Sequence, residues 1–161
     1  MATQKEKKMT YEGIQKLDEK NFGKSHKIKV GEFTVTIQDK VRDTEISDLV
    51  HEVMDIMDEM LKEDVDMRST LSPLLLVMII KKFTDVEGIP DDLHGLIQAT
   101  RYMLNNNLIA PIIRGFDQDE FIRLNKRMAE ISRGFNLVVN DIFSGDIELP
   151  KEESETPTEQ E

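Results

Sequence analysis

Residues 26–62 read HKIKVGEFTVTIQDKVRDTEISDLVHEVMDIMDEMLK, and within them the apolar spacing changes from every second residue to a helical period. In the first part Ile28 and Val30, then Phe33, Val35 and Ile37, each recur at every second position, the parity switching across Gly31-Glu32. Lys27, Lys29, Thr34, Thr36 and Gln38 occupy the alternate positions. A period of two specifies strands, and Gly31-Glu32 between the runs suits a tight hairpin turn that needs positive φ. Two strands alone are marginal in water, so the hairpin must pack on helices or pair with another chain.

From Glu45 to Lys62 the apolar positions are Ile46, Leu49, Val50, Val53, Met54, Ile56, Met57, Met60 and Leu61. At about 100° per residue they cover half a helix circumference. Asp43 or Thr44 is the expected N-cap. On the opposite side Glu45, Asp48, Glu52, Asp55 and Glu59 recur at spacings of 3, 4, 3 and 4 and form an acidic face.

Ser72-Pro73 reads as a helix start, followed by the all-round apolar LLLVMIIKKF, which belongs at the centre of a bundle or under a partner chain. TDVEGIPDD is a turn, with Pro90 opening a further helix that Asn105, Asn106 and Asn107 end or kink. The short apolar piece LIAPIIRGF leads to Asp117, a cap with Glu120 at the capping-box position. Phe121, Leu124, Met128, Ile131, Phe135, Val138 and Ile142 follow at spacings of 3, 4, 3, 4, 3 and 4, a heptad seam suited to self-association. A helix from Asp117 to Phe143 would be roughly 40 Å long. Arg123, Lys126, Arg127 and Arg133 make its outer side basic, the natural complement of the acidic face.

The expected fold is therefore mainly α: a bundle of four or five helices with a small N-terminal β-hairpin. The organisation reads as an N-terminal arm at 1–26, a folded domain at 27–145 and a disordered acidic tail at 146–161. The tail holds seven acids against Lys151 and so supplies −6 of the formal charge of −11. No apolar stretch there is large enough to offset ordering entropy.

With 161 residues, 39% hydrophobic and 33% charged, one domain with tails is expected. The acidic balance, 32 Asp and Glu against 21 Lys and Arg, argues against nucleic acid or an anionic membrane as partner. The chain has no cysteine, which removes thiol chemistry and suits a reducing cytoplasm. MATQKEKKMTYEG lacks the apolar region of a signal peptide, and the longest apolar run, Leu74 to Ile80, is far short of the roughly 20 residues that span a bilayer.

Chemistry is sparse. His51-Glu52 begins a zinc-protease pattern, but Asp55 stands where the second histidine is required. Asp91, Asp92 and His94 follow Pro90, where acids are more simply explained by the helix dipole. Asp85-Val86-Glu87-Gly88 has its glycine at the fourth position of a would-be calcium loop instead of the sixth. No glycine pattern cradles phosphate. The expectation is a protein that is not an enzyme and uses no cofactor or metal.

Interaction features remain. Met54, Met57 and Met60 lie along one helical arc, and methionine suits surfaces that accept varied apolar partners. A hairpin leading through QDKVRDTEI into an acidic amphipathic helix, then LSPLLLVMIIKKFTDV, a GIPDD turn and further helices, resembles the tail assembly chaperones of tailed bacteriophages over residues 27–143. The resemblance implies a small cytoplasmic, mainly helical protein that binds the tape measure protein during virion assembly and is absent from the finished particle. It also implies that a frameshifted longer form recruits tail tube subunits. It carries no individual functional residue. Two other readings are an acidic DNA mimic that binds a basic partner through the Glu45 to Glu59 face, and a structural head or tail subunit of a virion.

Overall fold

A computed structural model describes residues 7–132. Among them are six helices and one hairpin: α1 (Tyr11–Phe22), β1 (Ser25–Val30), β2 (Phe33–Gln38), α2 (Asp43–Lys62), α3 (Met67–Phe83), α4 (Leu93–Asn105), α5 (Ile109–Gly115) and α6 (Gln118–Ser132). The chain is mainly helical with a small antiparallel hairpin, as the change of period predicts. The expected acidic tail and the last three members of the heptad seam lie outside the described residues.

The hairpin pairs Val30 with Phe33, Ile28 with Val35 and His26 with Ile37 across a two-residue turn at Gly31-Glu32. Gly31 has φ of +61°, which a residue without a Cβ adopts freely. Val35 and Ile37 point into the core, and α5 packs against β1. The outer edge of β2 is partly paired by the exit of α3. Ile37 bridges Thr84, the Asp85 amide donates to the Thr36 carbonyl (3.1 Å), and the Thr36 amide donates to the Asp85 carboxylate (2.7 Å).

Helix α3 is the centre of the bundle. Leu74, Leu75, Val77, Ile79 and Ile80 are buried, and α2, α4 and α5 surround it. Its apolar circumference is thus consumed within the chain. It begins nearly two turns earlier than Ser72-Pro73 suggests, because Asp66 caps it by accepting from the Arg68 amide (3.1 Å) and the Ser69 hydroxyl (2.8 Å). Pro73 lies inside the helix, where the missing N–H is tolerated because packing dominates.

Two further starts differ from expectation. The cap of α2 is Arg42, not Asp43 or Thr44, and the Glu45 carboxylate reaches back to the Arg42 amide (3.0 Å). α4 starts at Leu93 instead of Pro90, with Asp92 accepting from the Gly95 amide (2.8 Å). The asparagine run ends α4, and Asn107 takes the left-handed conformation (φ +52°) that asparagine tolerates. Asp117 caps α6 by accepting from the Glu120 amide (2.9 Å).

The N-terminal arm expected at 1–26 contains a helix. Thr10 caps α1 through the Gly13 amide (3.1 Å), yet none of the residues of α1 is buried. Arg42 anchors its last turn, donating to Asp18 (2.9 and 3.0 Å) while its guanidinium lies 5.4 Å from the centre of the Phe22 ring.

Candidate functional site

A concavity with an apolar lining, about 600 Å³, opens at the turn end of the hairpin. One wall is Val30, Phe33 and Val35 of the strands. The second is the segment between α3 and α4, with Val86, Ile89 and Pro90. The third is Ala99, Tyr102 and Met103 of α4, and Leu108 and Ile112 close the floor. Phe33 is 56% exposed and Tyr102 59%, so two aromatic rings stand at the mouth of an apolar trough. Asp85 and Glu87 supply an acidic lip.

Local chemistry holds the trough open. The hydrogen bonds between Thr36 and Asp85 pin one end of the linker to β2. The Thr36 amide also holds the Asp85 carboxyl below its usual range. Gly88 turns the chain with φ of +81°. At the other end Lys81 donates to the Pro90 carbonyl (3.0 Å) and pairs with Asp91. A side chain at Gly95 would collide with the Pro90 ring, so glycine is what lets α4 approach the linker. Gln98 donates to the Tyr102 hydroxyl (2.8 Å) and fixes that ring at the rim. Such a surface has few polar groups to orient a small substrate. It is suited to apolar side chains of a protein partner.

Behind the hairpin two polar clamps fix its far end. His26 donates from Nδ1 to Asp39 (2.6 Å) and from Nε2 to the Gly115 carbonyl (2.7 Å). Both partners only accept, so the charged imidazolium fits best, and the Asp39 and Gly115 bonds raise its pKa above the ordinary 6.5. A raised folded value places the stabilisation below the unfolded pKa and removes it as pH rises through the folded one. We expect wild type to lose stability relative to His26→Gln as pH rises from about 6 through the raised folded value, by less than about 1 kcal/mol because the pair is partly exposed. Urea melts of both proteins across that range check this; parallel profiles would refute it.

A family model named YomO matches residues 12–159, nearly the whole chain. The chain belongs to the YomO family. This places it among proteins of phage and prophage type. No curated protein and no solved structure matches the chain.

In this YomO-family fold the residues singled out by periodicity are mostly used internally. Met57 and Met60 are buried at 6% and 0% exposure and Met54 is half-buried, so the methionine arc is core and not an open partner surface. The seam is corrected likewise. Phe121, Leu124 and Met128 are buried and Ile131 packs on the same core, because α6 lies along α2. Phe135, Val138 and Ile142 lie outside the described residues.

The acidic face is partly engaged. Glu45 accepts from Gln38 (2.9 Å), and Glu52 pairs with Lys82 of α3 (2.6 Å). Asp48, Asp55 and Glu59 are exposed. Arg123 and Arg127 of α6 reach α2 within the chain, but at Asp43 (3.0 and 3.5 Å) and not along the acidic face. Asp92 is a cap, Asp91 pairs with Lys81, and His94 pairs with Glu63 (2.7 Å). His51 lies exposed on α2, its Nδ1 2.7 Å from the Ser47 carbonyl. Among the described residues no helix is long and apolar enough to cross a membrane.

Periodicity missed the trough, since its walls come from strand, linker and helix. One signal was present: Phe33 is a large apolar side chain beside the turn, and Val86 and Ile89 punctuate an otherwise polar linker.

Proposed function

We propose that this protein is a non-enzymatic tail assembly chaperone that binds the tape measure protein and keeps it soluble in the host cytoplasm until the tail tube forms. The observation that carries the reading is the open apolar trough with its acidic lip, on a chain of phage-type family. A tape measure is a long helical chain with an apolar stripe, and Phe33, Ile89 and Tyr102 offer apolar contact for such side chains. The negative charge of the chain adds solubility to the complex. Glu45 and Glu52 already pair within the chain, which favours this reading over an acidic DNA mimic. A structural subunit differs by remaining in purified particles.

Co-expression with the tape measure protein of the same phage or prophage tests the proposal. Wild type should raise soluble yield of the partner. A Phe33→Glu, Tyr102→Glu variant should weaken the complex by about tenfold or more while leaving the fold intact, since both side chains are exposed. A Glu52→Gln, Asp55→Gln, Glu59→Gln variant should keep binding, and about 0.5 M salt should matter little. Loss with the charge variant alone would favour the mimic. No effect of wild type on partner solubility would refute the chaperone.

A further inference from the structure

Helix α1 is amphipathic but uncovered. Ile14 and Leu17 fall on one face and are 48% and 56% exposed, with Tyr11 at 77% beside them. A helix of this length is marginal in water, and burial of an apolar face is the usual source of its stability. The same chain carries an open apolar trough. We propose that α1 of one copy docks in the trough of a second copy, so that the protein self-associates through its N-terminal helix.

Connectivity excludes the trough of the same copy. α1 joins β1 through Gly23-Lys24, and Ser25 pairs with Gln38 at the open end of the hairpin. The trough is built at the other end, on Val30 and Phe33. Six strand residues separate the two ends by roughly 20 Å. Arg42 holds Asp18 and Phe22 at the open end, so the apolar face of α1 cannot swing back along its own hairpin.

Charge supports a second copy as the occupant. The chain is acidic at −11, yet residues 7–24 hold five lysines against three acids. Lys20 and Lys16 lie to one side of Leu17 on the wheel of α1, Lys16 paired with Glu12 (2.6 Å), and the trough presents Asp85 and Glu87 at its lip. Copies of an acidic protein repel one another in general. The N-terminal helix against the acidic lip is a contact in which that repulsion is reversed. Ile14 and Leu17, one helical turn apart, present a pair of side chains of the kind a trough of this volume holds.

The contact is heterologous unless two copies exchange helices, so it closes as an exchanged dimer or as a ring. It forms whether or not the trough also takes a client. Where both occur, α1 shields the trough until a client displaces it.

Sedimentation velocity on the full chain tests this with two variants that alter exposed residues on opposite sides of the contact. Wild type should associate at about 0.1 mM, while Ile14→Glu, Leu17→Glu and, separately, Phe33→Glu, Tyr102→Glu should each need at least about tenfold higher concentration. Mixing the two variants should restore a one-to-one pair, because one supplies an intact trough and the other an intact helix. Circular dichroism confirms that each variant is folded, and a milder Ile14→Ser, Leu17→Ser variant replaces the first if it is not. A monomeric wild type, association unaffected by either variant, or a mixture that stays monomeric would overturn the proposal. The α1 variant should still bind the tape measure protein, so failure of self-association and failure of the chaperone reading are separable.

Discussion

Met60→Ala should destabilise the protein by about 2 to 5 kcal/mol, the range for deleting a fully buried methionine side chain. Met60 has no exposure, and its carbonyl accepts from the Val65 amide (2.9 Å) where the chain leaves α2 for α3. The cavity would open in the core that α2 shares with its neighbours, where close packing leaves little freedom to collapse. Met54→Ala, at a half-buried site, should cost about 1 kcal/mol. Urea melts check both, with an unchanged slope showing that the effect lies in stability and not in the compactness of the unfolded chain. If Met60→Ala left the midpoint in place and reduced partner binding instead, the arc would be a contact surface after all. The expected result has a practical side: a methionine triple variant would lose binding by unfolding, whereas Phe33 and Tyr102 can be changed with the fold retained.

The same arc shows where sequence reading stops. A 3.6-residue period states that one face of α2 is buried, but not what covers it. Met57 and Met60 are covered by their own chain because α3 is apolar all round and must be enclosed on every side. The heptad seam ends likewise: α6 presents Phe121, Leu124 and Met128 to the core shared with α2. The hairpin was legible because alternation and a glycine turn are local. Helix α1 was not, since Gly13 interrupts it, its apolar residues are few and none of them is buried. Pro73 drew the start of α3 inward, because proline at a first turn is a stronger local signal than the Asp66 cap seven residues before it. The trough joins residues from 30 to 112, and no period within one segment marks a concavity formed by three.

Glu120 joins both themes, for its helix-start position was legible and its destination was not. It does not reach back to its own helix start. It accepts from the Val41 amide (2.7 Å) between β2 and α2, and from Arg123 (2.7 and 3.0 Å), which also donates to the Val41 carbonyl and to Asp43 (3.0 Å). Burial alone would push this carboxyl up, yet Arg123 and the Val41 amide together hold it below its ordinary 4.5. A depressed folded value places the stabilisation above the unfolded pKa and removes it as pH falls through the folded one.

Glu120→Ala should therefore cost about 2 to 3 kcal/mol at neutral pH. The Val41 amide would be left buried without an acceptor, while the half-exposed Arg123 would be partly rescued by water. Glu120→Gln keeps an acceptor for Val41 and loses the charge, so about 1 kcal/mol is expected. In acid, below the ordinary carboxylate range, wild type itself takes up the proton, and the gap between wild type and Glu120→Gln should narrow. Urea melts of the three proteins at both pH values measure this. A constant gap would mean that the carboxylate acts by shape alone, and no gap at either pH would mean that α6 is held to the start of α2 by its apolar seam without this clamp.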